Sequence, residues 1–89
     1  MRLSPSARKS LKKVPRHIYD KLKTWVAALE CDGLEVVRKI PGYHDEPAHG
    51  DRQGQQSIRL SRSYRAIYVI RLDQTAEFVS VEEVSKHEY

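Results

Sequence analysis

The sequence has very little cysteine and no long apolar run. Its 89 residues include a single cysteine, Cys31, which excludes an intramolecular disulfide framework and leaves no thiol pair for a metal. No apolar stretch approaches the roughly 18–20 residues that a membrane-spanning helix needs. The opening MRLSPSARKS lacks the apolar region of a signal peptide. We therefore expect an intracellular, cytoplasmic protein without a membrane segment.

Internal repeats, low-complexity tracts and linker-like stretches are also missing. The chain therefore predicts one small domain, residues 1–89, with a modest hydrophobic core. A hydrophobic fraction of 39% beside a charged fraction of 31% is typical of a globular protein rather than a disordered one.

Charge is arranged in alternating blocks along the chain. Residues 1–23 carry eight Lys or Arg and one Asp, and residues 50–72 carry five Arg and one Asp. Residues 24–49 hold five acids against two basic residues, and residues 73–89 hold five acids against one lysine. The basic blocks suggest a surface that faces a polyanion, and the acidic blocks suggest a separate surface for another contact. For the first block alone, a solvated helix face is the simpler interpretation.

Two helices are predicted in the first third of the chain. Ser4-Pro5 is typical of an N-cap followed by proline in the first turn, and this short helix is expected to end near Lys13. The following Val14-Pro15 breaks it. A longer helix with one apolar stripe starts at this proline or just after it, and Gly33 suits its C-terminal cap. We expect the two helices to form a hairpin packed on a sheet.

The rest of the chain predicts a sheet. Residues 34–40 fit either a strand or a further helical turn, and residues 41–55 are expected to form a loop long enough to suggest function. Three antiparallel strands follow at residues 56–60, 64–72 and 77–84. The predicted fold class is therefore α+β, an N-terminal helical hairpin packed on a small antiparallel sheet of three to four strands.

Arginine is concentrated where the first predicted strand pair turns. The stretch SIRLSRSYRAIYVI, residues 57–70, contains Arg59, Arg62 and Arg65. If residues 61–63 form a three-residue loop, Arg59 lies directly across from Arg65, and like charges in that position are destabilising. A phosphate between the two guanidinium groups would relieve the repulsion. A two-residue loop would instead pair Arg59 with Ala66.

Further polar residues are predicted to converge on the same face. The loop and the segment after the last strand supply His44, His49, Arg52, Lys86, His87 and Tyr89. Histidine moves protons near neutrality, so the set suits cleavage of an RNA phosphodiester by the adjacent 2′-hydroxyl. No ligand spacing such as HExxH occurs, so we expect no metal and no cofactor.

Other candidate residues have simpler interpretations. Trp25, Tyr64 and Tyr68 are expected to lie in the core rather than to stack on nucleobases. His17 is expected on a helix surface, and His44 is expected to make local hydrogen bonds in the loop.

Three segments carry a family resemblance: SPSARKSLKKVPRHIYDKL, GYHDEPAHGDRQGQQSIRLSRSYRAIYVI and VEEVSKHEY. Their most specific parts are the G-x-R-x-G-x-x-S-I-R run at residues 50–59 and the Tyr64-Arg65 pair that follows. Together they resemble the RelE/ParE superfamily of toxins from bacterial type II toxin–antitoxin systems, and most of all its HigB- and RelE-type branch.

The resemblance implies a fold and an activity. The fold is a small antiparallel sheet with a helical hairpin. Members typically begin with a short strand, which here must be very short or absent because only residues 1–4 precede the first helix. The activity is that of a ribosome-dependent mRNA endonuclease, an mRNA interferase. A cognate antitoxin protein would neutralise it in a hetero-oligomeric complex.

The resemblance also implies roles for particular residues. Arg65 matches a phosphate-stabilising arginine, and Arg59 occupies a strand position that is often basic. His87 and Tyr89 match functional residues near the C-terminus, whereas His49 stands where relatives commonly carry lysine. We expect Arg52 and Lys86 to contact RNA phosphates, and Arg62, at the loop tip, to contact a backbone phosphate or only solvent.

Two alternatives stay open. A ParE-like toxin would inhibit DNA gyrase without cleaving RNA, and a catalytically inert basic module would only bind RNA or the antitoxin. The histidines and tyrosine near the C-terminus favour cleavage, since a gyrase inhibitor needs no proton-transfer groups.

Overall fold

The structure, a computed structural model, describes residues 2–48, 54–73 and 76–86. Within these ranges the chain forms three α-helices and a five-stranded mixed sheet. The helices are α1 (Pro5–Leu11), α2 (Arg16–Asp32) and α3 (Leu34–Val37). A 3-10 turn at Pro41–Tyr43 follows α3, and the strands are β1 (Arg2–Leu3), β2 (Glu46–Pro47), β3 (Gln56–Arg59), β4 (Tyr64–Asp73) and β5 (Ala76–Lys86).

The sheet has the strand order β1-β5-β4-β3-β2. The pairs β2–β3, β3–β4 and β4–β5 are antiparallel, whereas β1 pairs with β5 in parallel. The three predicted strands are confirmed, but the expectation of three to four antiparallel strands is corrected to five strands in a mixed sheet. Strands β1 and β2 have two residues each, which is too short for an alternating pattern to be visible in a sequence.

The start of α1 is joined to β5 by Ser4. The Ser4 hydroxyl accepts from the Ala7 N–H at 3.0 Å and donates to the Glu82 carbonyl at 2.8 Å. The Ser4 N–H donates to the Val81 carbonyl at 2.8 Å. Ala7 is fully buried, and its small side chain lets α1 approach β5 closely. The predicted N-cap is confirmed, but α1 packs chiefly on β5, so the expected helical hairpin is matched only in part.

Helix α2 buries its apolar stripe and ends at Gly33. The Gly33 N–H donates to the Leu29 carbonyl at 2.9 Å, and its own carbonyl accepts from the Val37 N–H at 3.2 Å. Gly33 has a φ of 81°, which a residue without a Cβ adopts at low cost. Chain direction therefore changes there and α3 begins at once. Residues 34–37, which fit a strand or a helical turn, are helical.

The hydrophobic core lies between the helices and one face of the sheet. The Trp25 and Tyr68 rings are fully buried, with centroids 5.3 Å apart and planes tilted by 47°. Tyr64 is partly buried against the same core, so the core assignment of all three aromatic residues is confirmed. The other members are Ala7, Ile18, Leu22, Val37, Tyr43, Ile58, Leu60, Ala66, Val81 and Val84.

The sheet face opposite these helices carries arginine, and we call it the arginine face. By strand alternation it includes Ser57, Arg59, Arg65, Ile67 and Arg71. None of the described helices has the length and apolarity that crossing a membrane requires.

Candidate phosphate-binding site

The turn between β3 and β4 is organised by a serine. The Ser61 hydroxyl accepts hydrogen bonds from the N–H groups of Ser63, at 3.1 Å, and Tyr64, at 3.2 Å. The Leu60 and Ser61 N–H groups donate to the Tyr64 carbonyl at 2.9 and 3.2 Å. A serine hydroxyl readily satisfies turn amides in this way, and the turn fixes the register of the two strands.

That register places Arg59 directly opposite Arg65, as predicted. Ala66 pairs with Ile58 instead, so the two-residue loop is excluded. Leu60 and Tyr64, one residue closer to the turn, form a hydrogen-bonded pair. Because the two kinds of pair alternate along antiparallel strands, Arg59 and Arg65 form a non-hydrogen-bonded pair, in which Cα atoms are typically about 4.5 Å apart. Two positive side chains therefore leave the same face of the sheet side by side.

Arg65 is held close to the sheet by groups from two other strands. Its side chain is only 18% exposed. Its Nη1 atom donates to Glu46 Oε1 at 3.4 Å and to Ser57 Oγ at 3.3 Å. Within the described residues these bonds use Nη1 alone, so the Nε and Nη2 donors of the guanidinium fork remain for another acceptor.

Glu46 links Arg65 to a histidine. Glu46 pairs with Ser57 across β2 and β3, and its Oε2 atom lies 3.3 Å from His44 Nε2. The backbone of His44 is left-handed, with a φ of 49°. Sequence reasoning missed Glu46. The signal that could have found it was its position in the long 41–55 segment, where the structure has a turn and a strand rather than only a loop.

The other predicted contacts are spread around this pair. Arg59 is exposed, and Arg62 is exposed at the tip of the β3–β4 turn. Lys86 pairs with Tyr64, whereas its neighbour Ser85 pairs with Arg65. Strand alternation therefore puts Lys86 on the helix face of the sheet, away from the arginine face.

Four predicted site residues, His49, Arg52, His87 and Tyr89, lie outside the described residues. The approach of the last strand to Arg65 is confirmed, because the end of β5 pairs with the start of β4. The last described residue, Lys86, therefore lies one residue beyond the Arg65–Ser85 pair.

A second polar cluster lies towards the far end of β4. Arg71 donates to Glu82 Oε1, and the Ser80 hydroxyl donates to Glu82 Oε2 at 2.8 Å. Burial alone would raise the pKa of Glu82, but the hydrogen bonds from Arg71 and Ser80 and the charge of Arg71 outweigh it and lower that pKa. Arg71 is thus neutralised within the protein, unlike Arg59, whose side chain has no hydrogen bond or ion pair within the described ranges.

A partly buried hydrogen bond lies behind the site, on the helix face. The Tyr68 hydroxyl donates to Asp45 Oδ2 at 2.5 Å. Burial, together with the bond to Asp45 and its charge, raises the pKa of Tyr68. Burial also raises the pKa of Asp45, although the hydrogen bond from Tyr68 and the charge of Arg38 oppose this. The bond joins the segment just before β2 to the middle of β4.

The described side chains include no cluster of three or more His, Cys, Asp or Glu residues that could hold a metal ion. The expectation of metal-independent chemistry stays a prediction.

Comparison with known proteins gives matches only among solved structures. No protein-family model and no curated protein matches the chain. YafQ from E. coli is 18% identical, with a TM-score of 0.72 over 96% of this chain and 89% of that one. The YoeB/ParE toxin from Agrobacterium tumefaciens is 17% identical, with a TM-score of 0.68 over 99% and 100%.

A third match is an archaeal complex. The RelB-RelE antitoxin–toxin structure from Methanococcus jannaschii contains a chain that is 15% identical, with a TM-score of 0.70 over 97% of this chain and 89% of that one. The protein therefore has the fold of RelE/ParE-type toxins, and the resemblance read from its sequence is confirmed at the level of fold.

Proposed function

We propose that the protein is the toxin of a type II toxin–antitoxin pair and that it cleaves ribosome-bound messenger RNA in the cytoplasm. The observation that carries the proposal is Arg65, partly buried between Glu46 and Ser57 and directly opposite Arg59. A sheet selected only for stability would not hold two guanidinium groups side by side. The toxin fold of the structural neighbours supports an RNA phosphate as the anion that both arginines bind.

In this proposal Arg65 stabilises the charge that develops during cleavage. The 2′-hydroxyl attacks the adjacent phosphorus, and the 5′-oxygen of the next nucleotide leaves. Negative charge accumulates on the non-bridging oxygens, which the forked guanidinium donors of Arg65 match. Arg59 supplies a second positive charge from the neighbouring strand. The scheme uses no metal ion.

Proton transfer requires other groups, because arginine cannot give up a proton near neutral pH. The Glu46 carboxylate, 3.4 Å from Arg65 Nη1, is a proton acceptor beside the proposed phosphate position. His49, His87 and Tyr89 are the further candidates from the sequence. Arg52 and Arg62 are proposed to contact backbone phosphates of the message without reading its sequence. Lys86 lies on the opposite face of the sheet from Arg65 and is not part of this proposed set.

We also propose a cognate antitoxin protein as partner. E. coli YafQ was crystallised with DinJ, and the Methanococcus jannaschii RelE with RelB. A groove of about 290 Å³ between α1 and α2 suits an amphipathic helix, and an acidic segment laid across the arginine face is the other possible mode. The apolar side chains of the groove are Leu3, Leu11, Tyr19, Leu22, Val26 and Ala27.

Expression in bacterial cells with mapping of message 5′ ends tests the proposed activity. The wild type is expected to create new 5′ ends inside translated messages. Arg65→Ala is expected to reduce cleavage about 10²–10³-fold, the typical effect of removing a donor that stabilises the transition state. The matched control is Arg71→Ala, which removes an arginine from the same strand and face and is expected to cleave as the wild type does.

Two outcomes would contradict the proposal. Intact messages together with accumulating DNA breaks would support inhibition of gyrase instead. Normal growth with intact messages would support an inert binding module.

A further inference from the structure

The segment from His44 to Glu46 passes around the edge of the sheet. Glu46 lies on the arginine face beside Arg65, whereas Asp45 reaches the helix face and accepts the hydrogen bond of Tyr68 at 2.5 Å. Successive residues of an extended segment point to opposite sides. A bond that fixes Asp45 on one face therefore also fixes Glu46 on the other.

We infer that Asp45 and Tyr68 are positioning residues that hold the Glu46 carboxylate against the Arg65 guanidinium. The inference rests on the proposed function, because it gives the pair a part in the same site. Neither residue touches the proposed phosphate position, and both act through Glu46.

The donor side of this hydrogen bond is rigid. Tyr68 lies in the middle of β4, is fully buried, and packs on the fully buried Trp25 with ring centroids 5.3 Å apart. Its hydroxyl cannot move without disturbing the core, since protein interiors are close-packed. The core therefore determines where Asp45 lies.

The segment that carries the acceptor, Asp45, is held by few backbone hydrogen bonds of its own. Among the described residues, strand β2 pairs with β3 through Glu46 and Pro47, and one further backbone bond joins the Ala48 N–H to the Gln55 carbonyl at 3.0 Å. On its upstream side His44 closes a 3-10 turn through a 3.0 Å bond from its N–H to the Pro41 carbonyl. So short an edge strand has little backbone pairing to set its position, and the Asp45–Tyr68 bond supplies a side-chain anchor between the turn and the strand.

One carboxylate oxygen of Asp45 lies in an environment that lowers the stability of the folded protein. The Oδ1 atom is buried without a hydrogen-bond partner among the described residues, and such an atom disfavours the folded state. The raised pKa of Asp45, which burial causes, agrees with this cost. An acid kept in an unfavourable position is typical of a functional constraint.

A double-mutant cycle tests the inference. Tyr68→Phe, Asp45→Ala and the double variant are compared on message-programmed ribosomes, with cleavage rate and ribosome affinity measured separately. Each single variant is expected to cleave about tenfold more slowly or worse at unchanged affinity, because small displacements of catalytic groups have large effects on rate. The double variant is expected to be no slower than either single one.

Two further variants separate positioning from general damage to the fold. Asp45→Asn keeps an oxygen that accepts from Tyr68 and is expected to restore most of the rate. Tyr43→Phe removes a hydroxyl from a neighbouring tyrosine that is 6% exposed and is expected to cleave normally. Wild-type cleavage by Tyr68→Phe, or losses that add in the double variant, would overturn the inference.

A spectroscopic measurement distinguishes failure of the inference from failure of the proposed function. If the wild type cleaves no RNA, the proposed function fails, but the guanidinium signals of Arg65 in ¹⁵N spectra still report its contact with Glu46. Tyr68→Phe is expected to shift these signals, and Tyr43→Phe is expected to leave them in place. Unchanged Arg65 signals in Tyr68→Phe would overturn the inference by themselves.

Discussion

The two arginines at the β3–β4 turn have different surroundings although they face each other. The Arg65 side chain is 18% exposed and donates hydrogen bonds to Glu46 and Ser57, whereas Arg59 is exposed. The Glu46 carboxylate offsets the charge of Arg65 in part. The repulsion that remains is the reason to expect that Arg59 lowers the stability of the free protein.

Arg59→Leu is expected to raise the free energy of unfolding by about 0.2–1 kcal/mol, the range for cross-strand pairs. The same change is expected to weaken RNA cleavage, because one phosphate-binding charge is lost. Urea denaturation measures the first effect. Arg59→Lys keeps a positive charge opposite Arg65 and is expected to unfold at the wild-type urea concentration. A less stable Arg59→Leu protein with full activity would contradict this view of the pair.

The sequence could predict the Arg59–Arg65 pair but not the Glu46 carboxylate that binds Arg65. The pair depends on a local feature, the three-residue turn at residues 61–63. A turn of this kind can be recognised in the sequence from its own residues. Glu46 reaches Arg65 only through the pairing of Glu46 with Ser57, which is a tertiary contact. A two-residue edge strand leaves no periodic signal from which that contact could be inferred.

At the scale of secondary-structure elements, the helices could be predicted from local signals, whereas the shortest strands depend on tertiary contacts. Helices α1 and α2 were predictable because caps, a proline break and an apolar stripe are local signals. No local signal predicts strand β1, since it consists of two residues whose partners, Ser80 and Val81, lie near the other end of the chain. Only the family resemblance suggested it, as a strand that is very short or absent. Helix α3 depends on the backbone turn at Gly33, and propensity alone left its residues ambiguous.

Ser4 connects two elements and gives a prediction at this scale. Ser4→Ala removes the cap of α1 and the hydrogen bond to the Glu82 carbonyl. We expect the free energy of unfolding to fall by about 1–2 kcal/mol, measured by urea denaturation. Ser6→Ala changes an exposed serine of the same helix and is expected to have little effect. Equal losses in the two variants would contradict the role given to Ser4.

At the scale of the whole molecule, Glu82 joins three strands. Its carboxylate binds Arg71 of β4 and Ser80 of β5, and its carbonyl accepts from Ser4 next to β1. Because its pKa is lowered in the folded state, the unfolded chain takes up a proton at Glu82 first as the pH falls. The stabilisation is therefore complete above the ordinary value of 4.5 and is lost as the pH falls through the folded value.

Glu82→Gln is accordingly expected to be less stable than the wild type at pH 7. The difference between the two proteins is expected to shrink as the pH falls below about 4.5, because the wild type then loses the same charge. Thermal unfolding of both proteins across pH 3 to 7 measures this. A stability difference that does not change with pH would contradict the assignment.

The strand order has a consequence for the time at which the protein becomes functional. Strand β5 lies between β1 and β4, yet it is the last of the five strands that translation produces. Helix α1 emerges early, but the strand on which Ala7 packs does not yet exist. A chain grows at about 5–20 residues per second, so α1 waits several seconds for its partner strand. The sheet that carries Arg65 is completed only after residues 76–86 have been synthesised, and any activity it supports begins no earlier.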